Sequence, residues 1–335
     1  MATRSTIPVS PTAPDVQSGT PATRVSLSRV GVTGVEKVIR VNADGTENLY
    51  HAEFECFVDL EPRQAGVHMS RFEEVVGEAI DEVVLGEAFR AEVLAAHIAQ
   101  RVRERQGGLR AEVSVTARYP ETVTTPASGI RTQEIYGLFG TAVDSQRGTR
   151  TLTGVQAQGM TACPCAQEMV GGLARERLAE AGFEAEQIEA AIEAVPIATH
   201  NQRGVGTLHI GCPEGGPAWI DAPELLRIVE QSMSSEIYEL MKRPDELAVV
   251  AKAHAQPRFV EDCVREMVRR VTADYPDLPG GTFVMARQEN LETIHRHNVV
   301  AERYGTLDDL RAELDSGEHQ RRHTTMREWL EAPAS

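Results

Sequence analysis

The sequence predicts an α+β fold made of two ββααββ-like halves in one chain of 335 residues. Segments with period-two apolar alternation flank paired segments with helical apolar stripes, and that order recurs loosely in the second half. No residue-level repeat accompanies it, so any duplication is one of architecture. The length also exceeds what one core usually organises, and 41% hydrophobic residues supply material for two.

In chain order, residues 1–24 are rich in Pro, Ser and Thr without periodicity and read as a flexible tail. Val25–Val41 and His51–Leu60 read as strands, the second alternating Phe54, Cys56 and Val58. Asn42-Ala43-Asp44-Gly45 is the hairpin turn between them. After a loop from Glu61 to Ser70, Phe72, Val75, Val76, Ala79, Ile80, Val83 and Val84 recur at helical spacing. A second helical run carries Phe89, Val93, Leu94, Ala96 and Ile98 and stops at Gly107-Gly108. Strands return at Ala111–Arg118, Gln133–Ala142 and Thr149–Gly159.

In the second half, Met169–Ala181 and Glu184–Val195 read as short helices broken at Gly182, and Arg203–Gly211 as a strand. Pro223–Lys242 reads as one amphipathic helix through Leu225, Ile228, Val229, Met233, Ile237 and Leu240. Asp245 caps a further helical series, and Phe259, Cys263, Met267 and Val271 mark another. Thr282–Gln288 is a strand, followed by a segment from Asn290 to Ala301. The expected organisation is a tail at 1–24, halves at 25–160 and 161–320, and a C-terminal tail at 321–335.

Charge narrows the function classes. The net value is −16, and Lys37, Lys242 and Lys252 are the only lysines. Such a surface repels nucleic-acid phosphate except at local arginines. It suits a high-salt, halophilic cytoplasm, where screening removes most self-repulsion. Five cysteines, an odd number, argue against a secreted disulfide framework. The N-terminus lacks the apolar core of a signal peptide and no run approaches the ~18 apolar residues of a membrane span. A cytoplasmic protein is expected.

The chemistry concentrates at Thr161-Ala162-Cys163-Pro164-Cys165-Ala166-Gln167 and Thr199-His200-Asn201-Gln202-Arg203. Pro164 biases Cys163 toward an extended conformation, in which side chains two apart share a side, so both thiols can face one small volume. With His200 as a nitrogen donor, the set suits zinc or ferrous iron better than magnesium or calcium. The bland alternative is a strained disulfide or two inert thiols. Cys56, Cys212 and Cys263 read as structural, and His209 and His254 as structural or surface histidines.

Six stretches then carry a resemblance. They are Gly66-Val67-His68-Met69-Ser70-Arg71-Phe72, the Cys-Pro-Cys stretch, His200-Asn201-Gln202-Arg203, Lys242-Arg243-Pro244-Asp245-Glu246, Phe259-Val260-Glu261-Asp262 and His295-Arg296-His297. In this order, over about residues 25–305, the chain resembles GTP cyclohydrolases of type IB, and more closely their archaeal, ferrous-iron-dependent branch. The resemblance implies the tunnelling fold (T-fold) and a homotetramer with active sites at subunit interfaces.

It also implies one divalent metal per site, Fe(II) first and Mn or Zn as alternatives, on Cys163, His200 and Glu246. Spacing alone would leave Glu246 a solvated carboxylate. Glu261 matches the guanine anchor, accepting two parallel hydrogen bonds from the N1–H and exocyclic amine. His295 and His297 serve proton transfer during ring opening and formate release. Cys165 is an alternative ligand, an exchanging thiol or an orienter of Cys163. Arg71 and Arg203 are candidates for the triphosphate, because the guanidinium fork matches phosphate.

The implied product is 7,8-dihydroneopterin 2′,3′-cyclic phosphate with diphosphate, because two helices between Cys165 and His200 lengthen a gap that is short in bacterial members. Dihydroneopterin triphosphate stays open as the alternative product. A metal-dependent hydrolase of another ring, or a non-catalytic purine- or pterin-binding scaffold, is the other reading of the residues.

Overall fold

The computed structural model describes residues 16–43, 46–82, 90–213, 220–318 and 322–332. Strands β1 (Leu27–Ala43) and β2 (Thr46–Leu60) form a long antiparallel hairpin. Its expected tip, Asp44-Gly45, lies outside the described residues, as do Val83, Val84 and Phe89 of the expected helices. Helices α1 (Met69–Glu82) and α2 (Ala91–Gln106) follow, then β3 (Arg110–Thr124), β4 (Arg131–Ser145) and β5 (Gly148–Ala162). An α3 (Pro164–Glu180) and α4 (Ala185–Ala194) excursion precedes β6 (Asn201–Gly211). Then come α5 (Ala222–Gln231), β7 (Ser235–Glu236), α6 (Arg243–Ala255), α7 (Val260–Asp274), β8 (Phe283–Leu291) and β9 (Val299–Thr306). Helices α8 (Leu307–Ser316) and α9 (Met326–Glu331) finish the described chain.

The described strands make one nine-stranded antiparallel sheet, ordered β1-β2-β3-β4-β5-β6-β8-β9 with β7 on β5. The ββααββ order repeats with β5 as the opening strand of the second half, paired to β4 on one side and β6 on the other. Alternation explains why the sheet has one apolar face. Ala111, Val113, Val115 and Ala117 point inward from β3, while Glu112, Ser114 and Thr116 point out. Over the inward face α2 lays Leu94, Ala95, Ile98, Ala99 and Val102, all at most 1% exposed. Helix α2 ends where Gly107 adopts φ 71° and its N–H returns to Arg103 O. Helices α5 and α7 cover the second half with Leu225, Ile228, Val229, Cys263, Met267 and Val271, continuous with the first core.

Three expectations are corrected. The helix expected over Pro223–Lys242 ends at Gln231. Ser232 turns its hydroxyl back to Ile228 O (2.7 Å), and the buried Ser232, Ser234 and Ser235 lead into β7 instead. Met233 is still buried, but from a non-helical segment, which is why its spacing imitated a helical stripe. Helix α3 begins at Pro164, before the expected Met169, because proline is favoured in the first helical turn. Residues 321–335, expected as a tail, contain α9, whose Trp329 is 3% exposed against Phe283 and donates Nε1–H to Gly281 O (2.9 Å).

Most of the expected N-terminal tail lies outside the described residues; within them, Gln17 O and Gly19 O accept from Gly66 N and Ala65 N. Cys56 and Cys263 are buried, as their apolar positions predict. His209 packs on Phe139 (ring centroids 5.5 Å) and burial lowers its pKa to about 4, so it is a neutral structural group. Among the described residues no helix is long and apolar enough to cross a membrane.

Candidate active site

The site forms where β5 and β6 end together. Their ladder runs to Ala162↔Asn201, and beyond it Cys163 N donates to His200 O (3.2 Å). Thr199 Oγ1 donates to Cys163 O (2.8 Å), closing the α3–α4 excursion on itself. Cys163 is thereby fixed as the N-cap of α3, in extended conformation, and its Sγ accepts from Ala166 N at 3.5 Å. A second helix N-terminus arrives from α7, because Arg258 N donates to Ala162 O (3.0 Å) and Asp262 closes a cap on Phe259 N (3.0 Å). Glu261 sits in that first turn, where the helix dipole favours a carboxylate.

These elements enclose a cavity of about 270 Å³. Cys163, His200, Glu261, His295 and His297 all line it, with Gln202, Arg258, Asn290 and Glu292 beside them. His295 and His297 lie on the loop between β8 and β9 with their rings stacked at 5.2 Å. His200 Nδ1 is 3.1 Å from Gln202 Oε1. A carboxamide oxygen there accepts a hydrogen bond from Nδ1–H and so favours the tautomer that leaves the Nε2 lone pair for a metal, the usual orienting arrangement for an imidazole ligand. The thiol of Cys163 and the imidazole of His200 therefore fit a thiolate–imidazole metal site.

Other expected residues are not brought there within one chain. Cys165 is exposed inside α3 and does not line the cavity, because the helix starts at Pro164 and ends the extended geometry at Cys163. Glu246 is exposed in the first turn of α6. The far end of that helix abuts the site, with Gln256 Nε2 donating to Ser234 O (2.8 Å), while Ser234 Oγ receives Ala162 N. At ~1.5 Å per residue, Glu246 stands roughly 13 Å back along the axis from Ala255. Its neighbour Asp245 is buried and serves structure, accepting from Ala127 N, Ser128 N, Ser128 Oγ and Lys242 N. Burial alone would raise its pKa, but those hydrogen bonds hold the carboxyl well below the usual range.

Among the described residues no three His, Cys, Asp or Glu side chains converge as a metal site. Arg71 donates to Arg105 O from α1 (3.3 Å), and Arg203 leaves β6 from the sheet face opposite Gln202.

Sequence reasoning missed Gln202, Arg258, Asn290 and Glu292. Gln202 and Asn290 occupy inward positions of their strands, at 6% and 2% exposure, where a carboxamide is out of place unless it has work to do. Arg258 precedes the Phe-Val-Glu-Asp motif and is steadied by Gln231 O (3.0 Å).

Comparison with known proteins adds four likenesses. A family profile described as "Type I GTP cyclohydrolase folE2" matches residues 13–301. The GTP cyclohydrolase MptA of Methanococcus aeolicus is 41% identical over 307 residues, covering 90% of this chain and 99% of the relative. That of Methanocaldococcus jannaschii is 39% identical over 310 residues, covering 91% and 98%. A uricase structure from Arthrobacter globiformis aligns with TM-score 0.50 over 90% of this chain and 98% of that chain. At 8% identity this last likeness concerns the fold alone, the tunnelling fold.

Proposed function

The chain belongs to the type I GTP cyclohydrolase folE2 family, and from that premise we propose that its cavity opens the imidazole ring of GTP at C8 and releases that carbon as formate. The observation that carries this reading is the meeting of Cys163, His200, Glu261, His295 and His297, drawn from four separate stretches, in one cavity. Glu261 accepts from N1–H and the 2-amine of guanine, a pair of donors adenine lacks. His295 and His297 move protons to and from the ring nitrogens as C8 departs.

Cys163 and His200 hold one divalent ion, ferrous iron in this reading, with manganese and zinc also suited to the donors. When bound, the ion acidifies a water and so supplies a nucleophile at neutral pH. Glu246 would complete the ligand set in an assembly, where a neighbouring copy brings its α6 terminus to the cavity. Sheet edges support such an assembly: β1 and β9 pair on one side only, and a long open strand edge calls for a partner. A homotetramer working in the cytoplasm is the form proposed.

The product proposed is 7,8-dihydroneopterin 2′,3′-cyclic phosphate with diphosphate. Forming it takes attack of a ribose-derived hydroxyl on the α-phosphorus, a step governed by positioning and charge stabilisation. Arg258 supplies a cation in the cavity itself, while Arg71 and Arg203 would meet the phosphates only from a neighbouring copy. The experiment is anaerobic incubation of the protein with GTP and ferrous iron. Formate, a pterin fluorescent after oxidation, and a cyclic phosphate by mass spectrometry are expected. Absence of formate overturns the cyclohydrolase reading; a triphosphate product without diphosphate overturns only the cyclic product.

A further inference from the structure

Strand β8 carries an oddity directly beneath the cavity. Its inward row begins with Val284 and Ala286, both fully buried, and continues with Gln288 and Asn290, which are 0% and 2% exposed. Two carboxamides thus occupy positions where the row calls for apolar side chains, and burying them is costly unless their polar atoms are engaged. Space has been cleared for them across the ladder. Gly204 pairs with Asn290 and Gly206 with Gln288. A Cβ at Gly204 would collide with Gln288 Nε2, and one at Gly206 would lie 3.0 Å from Gln288 Oε1.

The two amides are ordered relative to each other: Gln288 Nε2 donates to Asn290 Oδ1 at 3.1 Å. With Oδ1 engaged, the NH₂ group is what Asn290 offers to the cavity it lines, alongside Glu261. Glu261 is an acceptor and answers only the donor edge of guanine. The adjoining 6-oxo group is an acceptor and needs a donor from the protein.

We propose that Asn290 donates its side-chain N–H to the 6-oxo oxygen of the bound purine, and that Gln288 is the positioning residue that turns it there. This rests on the cyclohydrolase reading and deepens it: the site selects a 6-oxopurine twice, by Glu261 at N1 and N2 and by Asn290 at O6. A 6-aminopurine presents N–H to N–H at that point and is rejected.

The test uses the full-length, iron-loaded protein with GTP as substrate and 2,6-diaminopurine riboside triphosphate as competitor. Asn290→Asp exchanges the donor for an acceptor. It is expected to raise KM for GTP at least tenfold, leave kcat within about threefold, and leave the competitor's Ki unchanged or lower, since a hydrogen-bonding group left unpaired in a buried site is discriminated strongly. Gln288→Met keeps the shape but frees Asn290, and is expected to shift KM in the same direction with kcat retained. It carries the test if Asn290→Asp does not fold. A merely structural role would raise KM and Ki together or lower kcat, and either result overturns the proposal while GTP turnover by the wild type stands. Failure of the wild type to release formate overturns the functional reading, and this inference with it.

Discussion

Replacing Glu230 with Gln is expected to stabilise the protein above neutral pH and to leave it unchanged in acid. Glu230 lies at the end of α5, where Tyr136 donates its hydroxyl to Oε1 at 2.7 Å. Burial is the main reason its carboxyl is pushed up from 4.5 to about 7; Glu236 and Glu134 add to this, while the Tyr136 hydrogen bond and Lys252 oppose it. A carboxyl that holds its proton more tightly when folded binds more protons in the native state, so stability falls as pH rises from 4.5 to about 7. At ~1.36 kcal/mol per tenfold change in proton affinity, that displacement withholds roughly 3 kcal/mol from the folded state above neutrality. Glutamine has no charge to bury, and its carbonyl still accepts from Tyr136. Urea unfolding of wild type and Glu230→Gln at pH 4 and pH 8 measures the difference. A gain on the order of 2–3 kcal/mol at pH 8, vanishing at pH 4, is expected. An equal gain at both values, or none at pH 8, would refute the reasoning.

The remaining predictions concern the metal, the charge and the C-terminus. Cys163→Ala should abolish stoichiometric iron binding and formate release; retention of both, by elemental analysis and assay, removes Cys163 from the ligand set. Gln202→Leu, which frees the His200 ring, should weaken metal affinity about 10–100-fold while far-ultraviolet circular dichroism stays constant. Because the net charge is −16, the melting temperature should climb from low to molar KCl as repulsion is screened; a flat or falling midpoint ends the high-salt reading. Trp329→Ala should cost about 3–5 kcal/mol in urea unfolding, and a loss below ~1 kcal/mol would mean that α9 is not anchored by that ring.

The alternation of β2 and the stripes of α2 and α7 are legible in the sequence because each buries one face against one partner, and the period then reports the element. Where a segment is buried without a regular period the reading fails. Ser232 to Ser235 sit in the core as hydroxyls bonded to backbone, and only Met233 among them looked apolar. Cys163 and His200 stand out as potential ligands in short motifs, whereas Glu261 and the histidine pair are singled out through the family resemblance. Gln202 and Asn290 do not stand out, since a lone carboxamide in a strand is ordinarily an outward residue. The available signal was the glycine pair Gly204 and Gly206, which marks a strand that must make room for its neighbour. The exposure of Glu246 is legible, since a Glu one residue after the buried Asp245 in a first helical turn reads as a solvated carboxylate; any role as a ligand comes from the resemblance and not from its spacing.

The closure of the excursion between Cys163 and His200 bears on how such a site can change over time. The separation of thiol and imidazole is set by the last rungs of the β5–β6 ladder and by the bonds from Cys163 N and Thr199 Oγ1, whatever chain runs from Pro164 to Thr199. Doubling the length of such a loop adds only about 0.6 kcal/mol of closure entropy. Helices α3 and α4 can therefore be lengthened, trimmed or exchanged as a cassette while the two donors keep their places. The placement of Cys163 and His200 and the periphery can drift independently, and the α3–α4 hairpin is the natural place to graft foreign sequence without moving those two residues.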